Sequence, residues 1–400
     1  STPKPAPAPP SADADRERPY TMTLLSAPSF SSANNPAPLS EAFRSETRDL
    51  NPRDAHALLE APPGSGPAAF LCELLARSGA ARTDRFVREA EALGFRVETL
   101  RAGELLATRG NGAGATFAAS LRSPHGDARF RVRDASIWGA GAADGPGALA
   151  AFLYGARSGG RVIALAGASA EAAFEAAFVH DEPPGLVVVA QPGGCEVLTD
   201  AAPGRLIAEL SVERPHGDHS PEDEALGWWR RVTARADRLN AEQAVEGSSD
   251  QDTDRLRVHA VGMRSACDAR VRTARLTLES TLPAWITPSE WASQLSPIAP
   301  DRSLLSRSGH AAAAQTHDDT LALARRAFGE TPSRRSAPQA GLLNEAIAAF
   351  GGRAVGFGPG EPSVVGAHNE HVSIGDLERT AEQAARLAAE ALATEARDRR

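Results

Sequence analysis

Two short apolar runs, VIALA within 161–166 and LVVVA at 186–190, constrain this chain more than any other feature. A strand that is apolar at every position has no face to give to water, so both of its faces must be covered. The flanking sequence supplies the cover. Residues 146–155 are small and apolar, and read as a helix able to sit close to a sheet. Phe86, Ala90, Leu93 and Phe95 follow a helical stripe that ends at Gly94, before a strand at 95–100. A further strand is expected near 116–121, and a short hairpin from 129–133 and 136–138. The pattern predicts an α/β unit with a mixed sheet covered by helices.

Residues 204–315 carry a different pattern. GRLIAELSVE alternates as a half-buried strand does, and EDEALGWWRRVTARADRLN, after Pro221, is amphipathic at helical spacing. RLRVHAVGM and RVRTARLTLE read as two more strands. TPSEWASQL reads as a short helix with Thr287 as N-cap and Pro288 in its first position, and 303–307 as a fourth strand. The order β-α-β-β-α-β is ferredoxin-like. The α/β pattern then resumes, with helices at 319–328 and 342–350, a strand at 354–358 and a final helix at 374–393. The expected organisation has three parts. Residues 1–50, rich in Pro, Ala, Ser and Asn without a hydrophobic period, form a disordered or loosely attached tail. Residues 51–203 and 316–400 form an α/β domain, interrupted by an inserted α+β module at 204–315.

Charge and cysteine usage narrow the function. The chain has 51 acidic and 43 basic side chains and a formal net charge of −8. Phosphate neutralisation needs a basic face, so no nucleic-acid partner is expected. No apolar run approaches the roughly 18–20 residues of a membrane span, and the first 20 residues lack the apolar core of a secretory signal. Cys72, Cys195 and Cys267 are an odd, sparse set without metal-site spacing. They argue against a disulfide scaffold and for a reducing compartment. A cytoplasmic protein is expected.

Four stretches carry a resemblance: IWGAGAADGPGALAAFL (137–153), LVVVAQPGG (186–194), DHSPEDEALGWW (218–229) and VGFGPGEPSVVGAHNEHVSIGDL (355–377). In this order they resemble the co-catalytic zinc hydrolases that include acetylornithine deacetylase, succinyl-diaminopimelate desuccinylase, carboxypeptidases and aminoacylases. The nearest look is to the branch handling N-acetyl-lysine, or lysine and ornithine attached to an amino-group carrier protein. The resemblance implies a zinc-peptidase-like α/β domain whose ferredoxin-like insert is a lid that mediates dimerisation. It also implies two zinc ions bridged by an aspartate and a water, with further His and carboxylate ligands. A glutamate would take the water's proton. A lid arginine and histidine would hold the substrate carboxylate and the oxyanion.

Position by position, much of that machinery is replaced. Without gaps, the bridging aspartate is Asp144, a ligand glutamate is Glu171, the lid histidine is His219, and Asn344 matches a family asparagine. The first ligand histidine and the aspartate that orients it fall on Ser120 and Arg122. A second ligand glutamate falls on Gln191, the last ligand histidine on Gly366, the general base on Ala170 and the lid arginine on Thr281. The arginine and lysine of the first motif become Ala140 and Pro146. Serine is a poor zinc ligand and an amide a weak one. An arginine brings permanent positive charge to a cation site, and a methyl group accepts no proton. One alternative stays open. His125 and Asp127 form another His-x-Asp, and His368 lies just beyond Gly366, so shifted loops would return both histidines as ligands with Asp127 beside the first. Neither shift restores the base. Plainer roles are Asp144 as a helix N-cap, His219 as a hydrogen-bonded loop histidine, His125 and His368 as surface residues, and Trp228 and Trp229 as lid packing.

The sequence therefore points to a chain that keeps the fold and has lost hydrolysis: a binding or scaffolding protein with no metal, or a weakly held one on Asp144, Glu171 and Gln191. Its ligand would be a small molecule or a carrier protein. It would assemble as a homodimer, or as a heterodimer with an active paralogue. The alternative is an active metallohydrolase with two zinc ions on shifted ligands, cleaving an N-acyl-lysine or ornithine-type amide. The dimer expectation rests on the lid's open sheet edge and on a helix whose Trp228, Trp229 and Val232 exceed what one small sheet needs.

Overall fold

The computed structural model describes residues 58–398 apart from 101–102, 111, 113, 123–129, 167–169, 179–183, 218, 244–253, 269, 329–331 and 338–339. The expected tail, His125 and Asp127 lie outside the described residues.

The apolar runs become β6 (Gly160–Leu165) and β7 (Leu186–Ala190). They lie within a sheet that also contains β1 (Arg96–Thr99), β2 (Leu105–Arg109), β3 (Ala115–Ser120), β8 (Val197–Ala202), β13 (Ala314–Gln315), β14 (Ser333–Ser336) and β15 (Ala354–Phe357). The strand order is β1-β2-β6-β3-β7-β15-β8-β13, with β14 beside β8. The inner pairs β6–β3, β3–β7 and β7–β15 are parallel, whereas β1–β2, β2–β6 and β8–β13 are antiparallel, so the sheet is mixed as expected. Helices cover both faces. Successive strand residues point to opposite sides. Phe117, Ala119, Val162 and Val188 join one core with α1 (Pro67–Leu75), α2 (Gly79–Ala92), α3 (Gly145–Gly155), α7 (Asp318–Phe328) and α9 (Ile374–Asp398). Ala118, Ile163, Val187 and Val189 join another with α4 (Ala170–Ala177) and α8 (Leu342–Phe350). That is why the central positions of these strands, 117–119, 162–164 and 187–189, are apolar. A smaller sheet pairs β4 (Arg131–Arg133), β5 (Ser136–Trp138) and β16 (His371–Ser373). No helix of the described residues is long and apolar enough to cross a membrane.

Residues 204–311 run through β9 (Gly204–Pro215), α5 (Pro221–Gln243), β10 (Arg257–Cys267), β11 (Val271–Leu282), α6 (Pro288–Leu295) and β12 (Ser303–Ala311). Their sheet is antiparallel in the order β10-β11-β9-β12, the ferredoxin-like arrangement. Thr287 caps α6 in a reciprocal box with Glu290, whose N–H donates to the Thr287 hydroxyl at 3.2 Å. Leu206, Ala208, Leu210 and Val212 alternate into a core with Trp228, Val232 and Trp291. Trp228 and Val232 are fully buried there, and Trp229 is partly buried against it. The apolar surplus read into this helix is thus consumed by the insert's own core, because two helices share one face of the sheet.

The chain enters and leaves the insert side by side. Ala202 pairs with Ala314 in the large sheet, and Arg205 with Ala311 in the small one. A Cβ on Gly204 would stand 2.7 Å from the Ala311 carbonyl oxygen. Buried Asn344 closes this crossing. Its Nδ2 donates to the carbonyls of Pro203 at 2.9 Å and Ala312 at 2.7 Å, and its Oδ1 accepts the Gly341 N–H at 2.9 Å.

A buried charged cluster joins α1, α2 and α3. Arg85 donates to Glu89 at 2.7 Å and to Glu73 at 3.2 Å. Glu89, 1% exposed, also accepts the Gly64 N–H at 3.0 Å and the Tyr154 hydroxyl. Removing one member of such a cluster strands another charge away from water. Glu89→Ala is expected to destabilise the protein by about 3–5 kcal/mol. Asn344→Ala, which orphans two carbonyls, should cost about 2 kcal/mol or more. Urea denaturation reads both, and a Glu89→Ala midpoint equal to wild type would contradict the cluster's role.

Candidate functional site

The parallel strands β6, β3, β7 and β15 end at Leu165, Ser120, Ala190 and Phe357 along one edge. Ligand sites of open α/β sheets form outside such carboxyl ends. Most of the sequence candidates meet there: Ser120 closes β3, Gln191 follows β7, Ala170 opens α4 after β6, and Gly366 and His368 lie in the loop after β15. His219 and Thr281 belong to the insert.

Ser120 abuts the start of α3. A Cβ on Gly145 would stand 2.7 Å from the Ser120 Cβ and from its carbonyl oxygen. Asp144 immediately precedes that glycine, so serine is the neighbour the gapless alignment places beside it. The Ser120 hydroxyl is engaged in its own turn: it donates to the Arg122 carbonyl at 2.9 Å and accepts the Arg122 N–H at 3.1 Å. Arg122 is exposed. Asp144 is half-buried at the N-cap of α3, where its side chain makes no capping hydrogen bond. Ala170 is buried, and Glu171 follows it in α4 with its side chain outside what the structure describes. The Gln191 N–H donates to the Phe357 carbonyl at 3.0 Å. One residue on, the Pro192 carbonyl accepts from Arg335, whose pKa is lowered by burial against the opposing pull of Glu361.

Two loops frame this edge in backbone contact. A Cβ on Gly147 would lie 2.0 Å from the Ala142 carbonyl oxygen, and one on Gly360 would lie 1.9 Å from that of Ala143. No larger residue fits at either position. Glu370, 3% exposed, ties the loops together. Its Oε1 accepts the N–H groups of Gly141 at 2.9 Å and Ala143 at 3.1 Å, and its Oε2 accepts that of Gly366 at 3.2 Å. The Gly139 N–H donates to the Glu370 carbonyl at 3.0 Å. Sequence reasoning missed Glu370, since nothing in Asn-Glu-His marks a buried carboxylate. Gly366 and His368 are both exposed, and Gly366 has φ 69°.

In the insert, His219 is exposed. Thr281, half-buried on β11, has Arg257 and Arg205 as cross-strand neighbours, and Arg205 is ion-paired to Glu279 at 2.7 Å. Those arginines lie on separate strands, so only the strand register could have placed them beside Thr281. Among the described residues no three His, Cys, Asp or Glu side chains are placed to hold a metal ion. Among the described residues the edge offers Asp144, Gln191 and a turn-bound Ser120 as oxygen donors and an exposed His368, and this described set does not fit a pair of zinc ions.

No family model matches the chain. A protein of Thermococcus kodakarensis named for LysW-lysine/LysW-ornithine hydrolysis is 30% identical over 145 residues, which is 32% of this chain and 42% of that protein. The LysW-lysine hydrolase of Deinococcus radiodurans is 23% identical over 336 residues, covering 78% of this chain and 88% of that enzyme. Among solved structures, an M20 family metallo-carboxypeptidase of Sulfolobus solfataricus superposes with a TM-score of 0.61 at 13% identity, covering 81% of this chain and 98% of the other. YXEP of Bacillus subtilis, a dinuclear metal binding peptidase from the M20 family, gives 0.56 at 12% identity over 82% and 99%. The chain has the fold of the M20 metallopeptidases.

The thiols check how tightly the site's surroundings are closed. Cys195, beside the 192–194 turn and 1% exposed, donates to Asp376 at 3.7 Å, and burial followed by the Asp376 carboxylate pushes its pKa up to about 12. Burial pushes Cys72 up to about 12 as well. Unfolding returns both to the ordinary thiol value of 9.0, so their share of stability is complete below pH 9 and is lost as pH rises toward 12. At pH 8 iodoacetamide is expected to label exposed Cys267 and to spare the other two in the folded protein. Mass spectrometry showing Cys195 labelled as fast as Cys267 would contradict that burial.

Proposed function

We propose that this chain is a non-catalytic binding protein built on the M20 amidohydrolase fold, and that its ligand is an amino acid or a carrier-borne aminoacyl group of the LysW-lysine or LysW-ornithine type. The ligand class rests on the names of the two relatives. The observation that supports loss of hydrolysis best is Ser120: beside Asp144, where the resemblance requires a ligand imidazole, stands a hydroxyl turned back onto its own loop. Ala170 offers no oxygen to take a proton from water, and loss of a general base alone costs about 10²–10⁴-fold. Arg122 adds positive charge where a cation would bind, and Thr281 lacks the two-pronged grip that arginine gives a carboxylate.

The insert is the proposed assembly surface. Strand β10 ends its sheet, and its residues 259–262 and 264–267 are exposed, with Val261 at 61%. A homodimer, or a heterodimer with an active paralogue, would cover that edge. A cytoplasmic location is part of the same proposal.

Three measurements test this reading. Protein purified without added metal should carry well under one zinc per chain. It should not hydrolyse N-acetyl-lysine, N-acetylornithine or carrier-linked lysine, with or without zinc or cobalt. Two zincs per chain, with chelator-sensitive turnover of about 1–10³ s⁻¹, would instead mean that His125 and His368, with Asp127, are recruited to the site from shifted loops. The combined variant Ala170→Glu, Ser120→His, Arg122→Asp, Gln191→Glu and Gly366→His should gain zinc. Histidine is among the residues that best tolerate the left-handed backbone at 366. Light scattering at micromolar concentration should report a dimer; a monomer would remove the assembly proposal and leave the ligand proposal standing.

A further inference from the structure

On the sheet face covered by α4 and α8, the two helices and the chain leaving the insert enclose a groove of about 760 Å³. Its apolar wall is Phe174, Phe178, Ile347 and Phe350. The rings meet edge to face, Phe174 and Phe178 each 5.2 Å from Phe350. Its polar side chains include Glu175 and Glu345, and among the described residues that line it none is basic. Arg161 sits over the Phe178 ring at 5.1 Å, which leaves the Phe174 and Phe350 rings for a ligand. The volume falls within the range of about 300–1,000 Å³ typical of small-molecule sites. The lip at Ala348 and Ala349 is exposed and carries no bulk.

The groove also reaches the crossing between the two sheets. Residues 311–315 form one wall, and Asn344 lines it. Ala312 and Asn344 are the same two residues that share the 2.7 Å bond closing the crossing. A molecule seated there would lie against both partners of that bond.

We propose that this groove binds a small organic cation with an aromatic or aliphatic body, and that its occupancy is sensed at the crossing through Ala312 and Asn344. The apolar body packs on the phenylalanine rings and the cation faces the exposed Glu175 carboxylate. A neutral molecule of the same shape loses the second contact, and an anion meets repulsion. The inference does not depend on whether the carboxyl-end edge hydrolyses anything.

The test uses the full chain and phenethylammonium, with 2-phenylethanol and phenylacetate as the neutral and anionic controls. Calorimetry should show saturable binding of phenethylammonium at millimolar concentration, weaker binding of the alcohol and none of the acid. Glu175→Gln should weaken phenethylammonium binding by about fivefold, the most that one exposed charge pair commonly gives. Ala348→Phe, which fills the lip, should abolish binding while keeping the wild-type circular dichroism and unfolding midpoint. Hydrogen exchange at 311–315 should slow with phenethylammonium in wild type and not in Ala348→Phe. No saturable binding, equal binding of phenylacetate, or binding unaffected by Ala348→Phe would overturn the site. Binding that leaves exchange at 311–315 unchanged would overturn the coupling.

Discussion

A single buried carboxylate fixes the geometry of the carboxyl-end edge. Glu370 accepts three backbone N–H groups from two loops that are far apart in sequence, and its own carbonyl takes a fourth at Gly139. A buried side chain with that many backbone donors cannot move without stranding them. The start of α3, and with it Asp144, is placed by the same bonds, because the 139–143 turn leads directly into that helix. The close contacts at Gly147 and Gly360 then leave the loops no room to slide.

These contacts also show how the loops of such an edge can be held by the chain itself. In a zinc site the metal itself cross-links the loops that supply its ligands. Here backbone hydrogen bonds to Glu370 and the close approach at Gly360 link the loops through the chain's own atoms. Gly366 even donates its N–H to Glu370.

Much of this was legible in the sequence wherever one face or both had to be apolar. Strands β6 and β7, the alternating strands of the insert and the Thr287 cap follow from period and capping alone. Strands β8 and β14 do not. Val197–Ala202 carries buried Thr199 and Asp200, and Asp200 is ion-paired to Arg334 of the neighbouring β14, so this pair is held partly by charge and shows no apolar period. In the site, register alone put Ser120, Ala170 and Gln191 on one edge. Asn344 matched a motif, yet its work was invisible, since its partners at Pro203 and Ala312 lie far along the chain and are backbone atoms that any residue presents. The apolar count on α5 misled for a related reason: composition does not say whether a tryptophan faces its own core or a partner's.

The crossing between the sheets carries a topological consequence. Strands β8 and β13 pair antiparallel at Ala202 and Ala314, as the two arms of a hairpin do, and residues 204–311 take the place of its turn. Closing a longer turn costs only about 0.6 kcal/mol for each doubling of its length, so once the arms are clamped the turn is free to lengthen until it acquires a core of its own. The ferredoxin-like unit is, in that sense, a hairpin tip that became a second fold, and the sheet beneath it would close as well over a tip of two residues.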